Sequence, residues 1–193
     1  GDVGDIAAGP FDLIVSWHSL EHAPDPAGLL SKLRRLLTKN GLLLIQVPDL
    51  ERTPFDLAVM DHCSHFTRSR LWALCSSRGF RLLADGQTWT HNCITFLCGK
   101  SGQAAVSNKV PRLPGSAVSE KYFYWLNSAA RRFKEAVMKK PYAIFGASIA
   151  GIWLLGQMTK KPLYFLDMDE RAAGHRIEGV SIIDPSDTPP KMT

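Results

Sequence analysis

The stretch from Phe11 to Pro26, FDLIVSWHSLEHAPDP, constrains this chain more than any other. The apolar run ending at Val15 is too short for a helix of its own, so a buried strand over residues 12–16 is expected. Glu21 and His22 follow directly, at the edge where open α/β sheets place their ligands. Asp25 suits a helix cap, and Pro26 the first helical position, where a missing N–H has no partner to lose. Leu29, Leu30, Leu33, Leu36 and Leu37 then recur at i, i+1, i+4, i+7 and i+8. That stripe predicts an amphipathic helix over residues 26–39. Lys32, Arg34, Arg35 and Lys39 take the other faces, and Gly41 stands where a left-handed cap is expected. Residues 42–47, Leu-Leu-Leu-Ile-Gln-Val, read as a second strand of the kind that parallel sheets cover on both sides. The first two strands should therefore run parallel, with the helix crossing between them.

Further along, Thr67 can cap a helix through Arg78, with Leu71, Trp72, Leu74 and Cys75 apolar and Gly79 ending it. Residues 80–84 and 92–98 read as two closing strands, a hairpin at the sheet edge. Residues 101–118, without periodicity and with two prolines, form a linker. A helix from Ser119 to about Lys140 lines up Tyr122, Leu126, Ala129, Phe133 and Val137 on one face. After Pro141 a second α/β unit begins, with a strand over 142–145, a turn over Gly146–Gly151, a helix over 152–158 and a strand over 163–166. Val180 to Ile183 supplies one more apolar run.

Composition narrows the function classes. With 45% hydrophobic and 21% charged residues the chain is an ordinary globular one, and its net charge of +5 is modest. Arg131, Arg132, Lys134, Lys139 and Lys140 cluster on a helix but lack the interleaved aromatics of a nucleic-acid surface. The uncharged run Tyr142–Met158 is shorter than a membrane span and is broken by three glycines. Cys63, Cys75, Cys93 and Cys98 have no paired spacing, so no metal site is expected from them, and a reduced cytoplasmic setting is the simplest reading.

The run Phe11-Asp-Leu-Ile, then Leu20-Glu-His, Asp25-Pro26, Gly41 and Val47-Pro-Asp resembles the fourth and fifth strands of class I S-adenosylmethionine-dependent methyltransferases. The resemblance covers roughly residues 1–100. It implies S-adenosylmethionine as cofactor, with Asp2 in the stretch that meets the adenine ring. It also implies a glycine-rich turn and an acidic residue upstream. Only ten residues precede Phe11, so the chain reads as a fragment expected to bind the cofactor weakly or not at all by itself.

The segment Asp61-His-Cys-Ser-His-Phe-Thr67 is similar to the Glu-His…Phe-Ser loop of sugar C-methyltransferases acting on nucleotide-linked deoxysugars. The resemblance implies that His62 removes the proton from the carbon to be methylated, with Asp61 orienting it. An imidazole suits that work at neutral pH. On a plainer reading, His62 and His65 pack against or cap the following helix. Glu21, His22 and His65 are candidates to line the acceptor site.

In the second unit, Gly146, Ser148 and Gly151 form a loose version of a phosphate-binding turn, with Asp167 near the spacing at which a Rossmann acid meets a ribose hydroxyl. A tight strand–helix turn without ligand fits the same residues. Ile144-Phe-Gly-Ala-Ser, Phe165-Leu-Asp and Gly174–Ile182 resemble the C-terminal Rossmann-like domain of the same C-methyltransferases and the N-terminal domain of some sugar N-acyltransferases.

The sequence thus reads as an α/β chain of two Rossmann-like, doubly wound units, both truncated: a half-domain over residues 1–100, a linker and helix over 101–140, and the start of a second domain over 141–193. The function expected is transfer of a methyl group from S-adenosylmethionine to a small acceptor, such as a carbon of a nucleotide-linked sugar, with no nucleic-acid or membrane partner. A nucleotide-binding oxidoreductase and a non-catalytic nucleotide-sugar-binding module are the alternatives. Oligomeric state is left open.

Overall fold

The computed structural model describes residues 9–86, 89–101 and 116–187, with side chains from residue 120 onward in the last stretch. Asp2 and most of the linker lie outside the described residues. The chain divides into two compact units, Gly1–Tyr122 and Phe123–Thr193. No described helix is long and apolar enough to cross a membrane.

The first unit is built on a sheet of four strands: β1 (Phe11–Trp17), β2 (Leu37–Pro48), β3 (Phe80–Asp85) and β4 (Cys93–Lys100), in the order β1-β2-β4-β3. β1 and β2 are parallel, while β4 runs antiparallel to both β2 and β3. Helix α1 (Pro26–Leu36) joins β1 to β2, and α2 (Arg68–Ser77) leads into β3. Caps explain both helix starts. The Asp25 carboxylate accepts a 2.8 Å hydrogen bond from the Gly28 N–H ahead of Pro26, and the Thr67 hydroxyl accepts one from the Arg70 N–H. Gly79, at φ +79°, turns the chain out of α2 as its sequence position required.

The ladder sorts side chains by face, because alternate strand residues point to opposite sides. Ile14 and Ser16 pair with Leu43 and Ile45, which in turn pair with Cys98 and Phe96. This face carries the core, closed by Leu30 and Leu33 of α1 and by Leu71, Leu74 and Cys75 of α2. Leu13, Val15 and Trp17 point to the other face and stay 52–54% exposed. β1 therefore differs from the fully buried strand expected of it.

Gly41 also departs from its expected place. α1 ends at Leu36, before Lys39, and residue 37 is already extended and paired with Phe11. The register then jumps so that Leu13 meets Leu42. Gly41 lies inside β2, where a Cβ would come within 2.9 Å of the Phe11 carbonyl oxygen and of Leu37 Cβ. Close backbone approach, not a left-handed cap, is what this position requires.

The second unit has a sheet in the order β5-β6-β8-β7, from β5 (Ile144–Phe145), β6 (Phe165–Leu166), β7 (Arg176–Ile177) and β8 (Val180–Ile183). β5, β6 and β8 are parallel and β7 is antiparallel to β8. Helix α3 (Ser116–Val137) contains the boundary between the units, and α4 (Ile149–Gln157) follows β5. A small core gathers Ile144, Leu155, Phe165, Val180 and Ile182. Both units are thus mixed α/β structures containing parallel strands.

Candidate functional site

β1 delivers the first half of the site. At its end His18 adopts φ +44°, a conformation uncommon outside glycine, while its N–H still reaches the Gln46 carbonyl at 3.1 Å. That turn carries the chain out of the sheet and buries Glu21 to 1% exposure. Glu21 Oε1 lies 3.1 Å from His18 Nδ1, and Oε2 is buried with no hydrogen-bond partner. His18 thereby holds one oxygen of this carboxylate.

The loop after β2 delivers the second half. A 3-10 turn at Pro54–Ala58 buries Asp56 to 3% exposure. Its two oxygens meet two imidazoles, His62 Nδ1 at 2.6 Å and His65 Nδ1 at 2.7 Å. A carboxylate only accepts, so both Nδ1 atoms carry protons and both Nε2 atoms are left as acceptors unless the rings are fully charged. The Ser64 N–H donates to the Glu21 carbonyl at 3.0 Å and ties this loop to the exit of β1. His22 and His62 consequently meet edge to face, with ring centroids 4.8 Å apart.

The structure thus brings Glu21, His22 and His62 together, with His65 joined through Asp56. It corrects the pairing expected within Asp61-His62. Adjacent residues diverge here, and the Asp61 carboxylate and carbonyl instead reach His22 Nδ1, at 3.3 and 3.0 Å. The carboxylate on His62 is Asp56. Sequence reasoning missed it, since Pro54-Phe-Asp56 offered no signal beyond an acid after a proline.

In the second unit Gly146, at φ +100°, turns the chain from β5 toward α4, and Ser148 caps α4 by accepting from the Gly151 N–H at 3.5 Å. Gly151 permits tight packing, for a Cβ there would sit 2.2 Å from the Gly146 carbonyl oxygen. Asp167 Oδ2 accepts from the Ala147 N–H at 2.7 Å and Oδ1 from the Asp169 N–H at 2.9 Å. These two amides hold its carboxyl below the usual range. Gly146, Ser148 and Gly151 thus share one turn, and Asp167, just after β6, reaches it through the Ala147 amide, with both carboxylate oxygens engaged by backbone.

Comparison with known proteins bears on the first unit. A family model described as a methyltransferase domain matches residues 4–85, a span that contains Glu21, His22, Asp56, His62 and His65. No curated protein matches the chain. Among solved structures, an S-adenosylmethionine-dependent methyltransferase from Thermotoga maritima, described as a possible histamine N-methyltransferase, is similar at 16% identity and a TM-score of 0.41. The alignment covers 52% of this chain and 62% of that one. Over residues 4–85 this chain is similar to a methyltransferase domain, and the cofactor which that match implies is S-adenosylmethionine.

Proposed function

We propose that the protein transfers a methyl group from S-adenosylmethionine to a small acceptor, with a carbon of a nucleotide-linked sugar as the favoured site of attack. The observation that carries this reading is the Asp56–His62 hydrogen bond, within the span that matches a methyltransferase domain. It fixes the His62 tautomer and leaves Nε2 as the atom that takes the acceptor's proton. Glu21, His22 and His65 line the same edge of the sheet. Among the described residues of the first unit there is no glycine-rich turn or ribose-binding acid to hold the cofactor. The two units are read as Rossmann-like, the second as a nucleotide-sugar-handling domain.

The test uses the full-length enzyme. Methyl transfer from labelled S-adenosylmethionine is measured on nucleotide-linked deoxysugars and on unrelated small acceptors, with His62→Ala beside the wild type. A lost general base lowers turnover by about 10²–10⁴-fold, while cofactor affinity stays close to wild type. A His62→Ala enzyme that melts lower yet turns over normally would show that His62 only packs. A dinucleotide titration tests the oxidoreductase alternative directly.

A further inference from the structure

The geometry points to a divalent metal site formed by Glu21, His22 and His62, suited to a first-row transition ion such as zinc. Each of the three offers one ligand atom, and these atoms lie within 4.8 Å of one another. Ligands on a tetrahedral ion, with bonds of about 2.1 Å, stand roughly 3.4 Å apart, so small side-chain rotations would close the set. Two imidazoles and a carboxylate are the donor types that zinc and its neighbours take, whereas magnesium prefers an all-oxygen shell.

Two further observations single out this cluster. Glu21 Oε2 is buried and unpartnered, in a side chain only 1% exposed. Leaving an anionic oxygen in that state is costly, and a cation would relieve it. The supporting shell is also built. Metal-bound histidines usually give their second ring N–H to a carboxylate or carbonyl. His62 Nδ1 has Asp56, His22 Nδ1 has the carbonyl and carboxylate of Asp61, and Glu21 Oε1 has His18. Nε2 of both rings and Oε2 of Glu21 remain for the ion. The neighbouring set Asp56, His62 and His65 is the weaker candidate, because both Asp56 oxygens are already bound by imidazoles.

This site goes beyond the methyl-transfer reading and competes with its proton-removal step. A metal ion and an acceptor proton are alternatives for the same lone pair on His62. Three protein ligands also leave a fourth position, where water or an acceptor oxygen would bind.

The test is direct binding. Full-length protein stripped with a chelator is titrated with Co²⁺, read by its visible d–d absorption, and with Zn²⁺ by equilibrium dialysis. One ion per site is expected, with affinity falling about 10–100-fold in Asp56→Asn, the loss typical of a supporting residue. His22→Ala and Glu21→Gln should lose at least as much. His175→Ala, an exposed histidine of the second unit, should bind like wild type. His22 is half-exposed, so its variant keeps the test sound should Glu21→Gln fail to fold. Unchanged binding in His22→Ala, or no saturable Co²⁺ spectrum in the wild type, overturns the proposal. Turnover of the metal-stripped wild type beside metal-stripped His62→Ala tests the methyl-transfer reading separately.

Discussion

Asp56 and His62 share a hydrogen bond of 2.6 Å across a loop that doubles back on itself within six residues. Asp56→Asn keeps the shape but not the logic. One amide oxygen can accept from one imidazole, while the amide NH₂ faces the other and reverses its tautomer. On the methyl-transfer reading proposed above, turnover is expected to fall, by up to about 10²-fold. Asp61→Asn touches His22 instead and should have the smaller effect. Measuring kcat and melting temperature on the same samples checks both.

Gly151 and Gly156 lie in the same helix and should respond oppositely to alanine. At Gly151 the added methyl meets the Gly146 carbonyl oxygen at 2.2 Å and core atoms of Ile144 and Phe165 at 3.2 Å. Overpacking of this kind costs about 1–3 kcal/mol. At Gly156 nothing lies within 4 Å, and the gain in helix propensity should stabilise by up to about 1 kcal/mol. Urea unfolding of the two variants reads the signs.

Arg34 fastens α1 to two other segments of the first unit. Its Nε donates to the Gly79 carbonyl at 3.2 Å and its Nη2 to the Ser101 carbonyl at 3.1 Å. Arg34→Ala is expected to destabilise by about 1–3 kcal/mol. Arg34→Lys should recover only part of this, since one ammonium lacks the spread of a guanidinium fork. Comparing the denaturation midpoints of the three proteins decides it.

Asp167 predicts a pH dependence. Its folded carboxyl is held below the ordinary value by the Asp169 and Ala147 amides, so near that value the unfolded chain binds more protons than the folded one. The stabilisation is present above the ordinary carboxylate pKa of about 3.9 and is lost as pH falls through and below it. Asp167→Asn should flatten the acid limb of a stability curve between about pH 5 and pH 3. An unchanged limb would mean that other carboxylates set it.

The elements of the first unit were legible because burial writes itself as periodicity. The leucine stripe, Asp25 and Thr67 gave both helices and their starts. The end of α1 was not legible, because Leu37 satisfies the helical stripe and the strand equally well; pairing with Phe11 decided the matter. Glu21 and His22 could be read from the end of a strand. Asp56 could not, since its partners lie six and nine residues away along an irregular loop that no period describes.

The two faces of the first sheet answer to different rules of substitution. Ile45, Phe96 and Leu30 are sealed among neighbours, and truncating any of them leaves a hole. Leu13, Val15 and Trp17 keep half their surface in water, and fewer contacts would be lost with them. In a mutational scan read only by folding of this chain, the first set should be intolerant and the second permissive. The oily character of those three positions along β1 is thus more than the stability of this sheet demands.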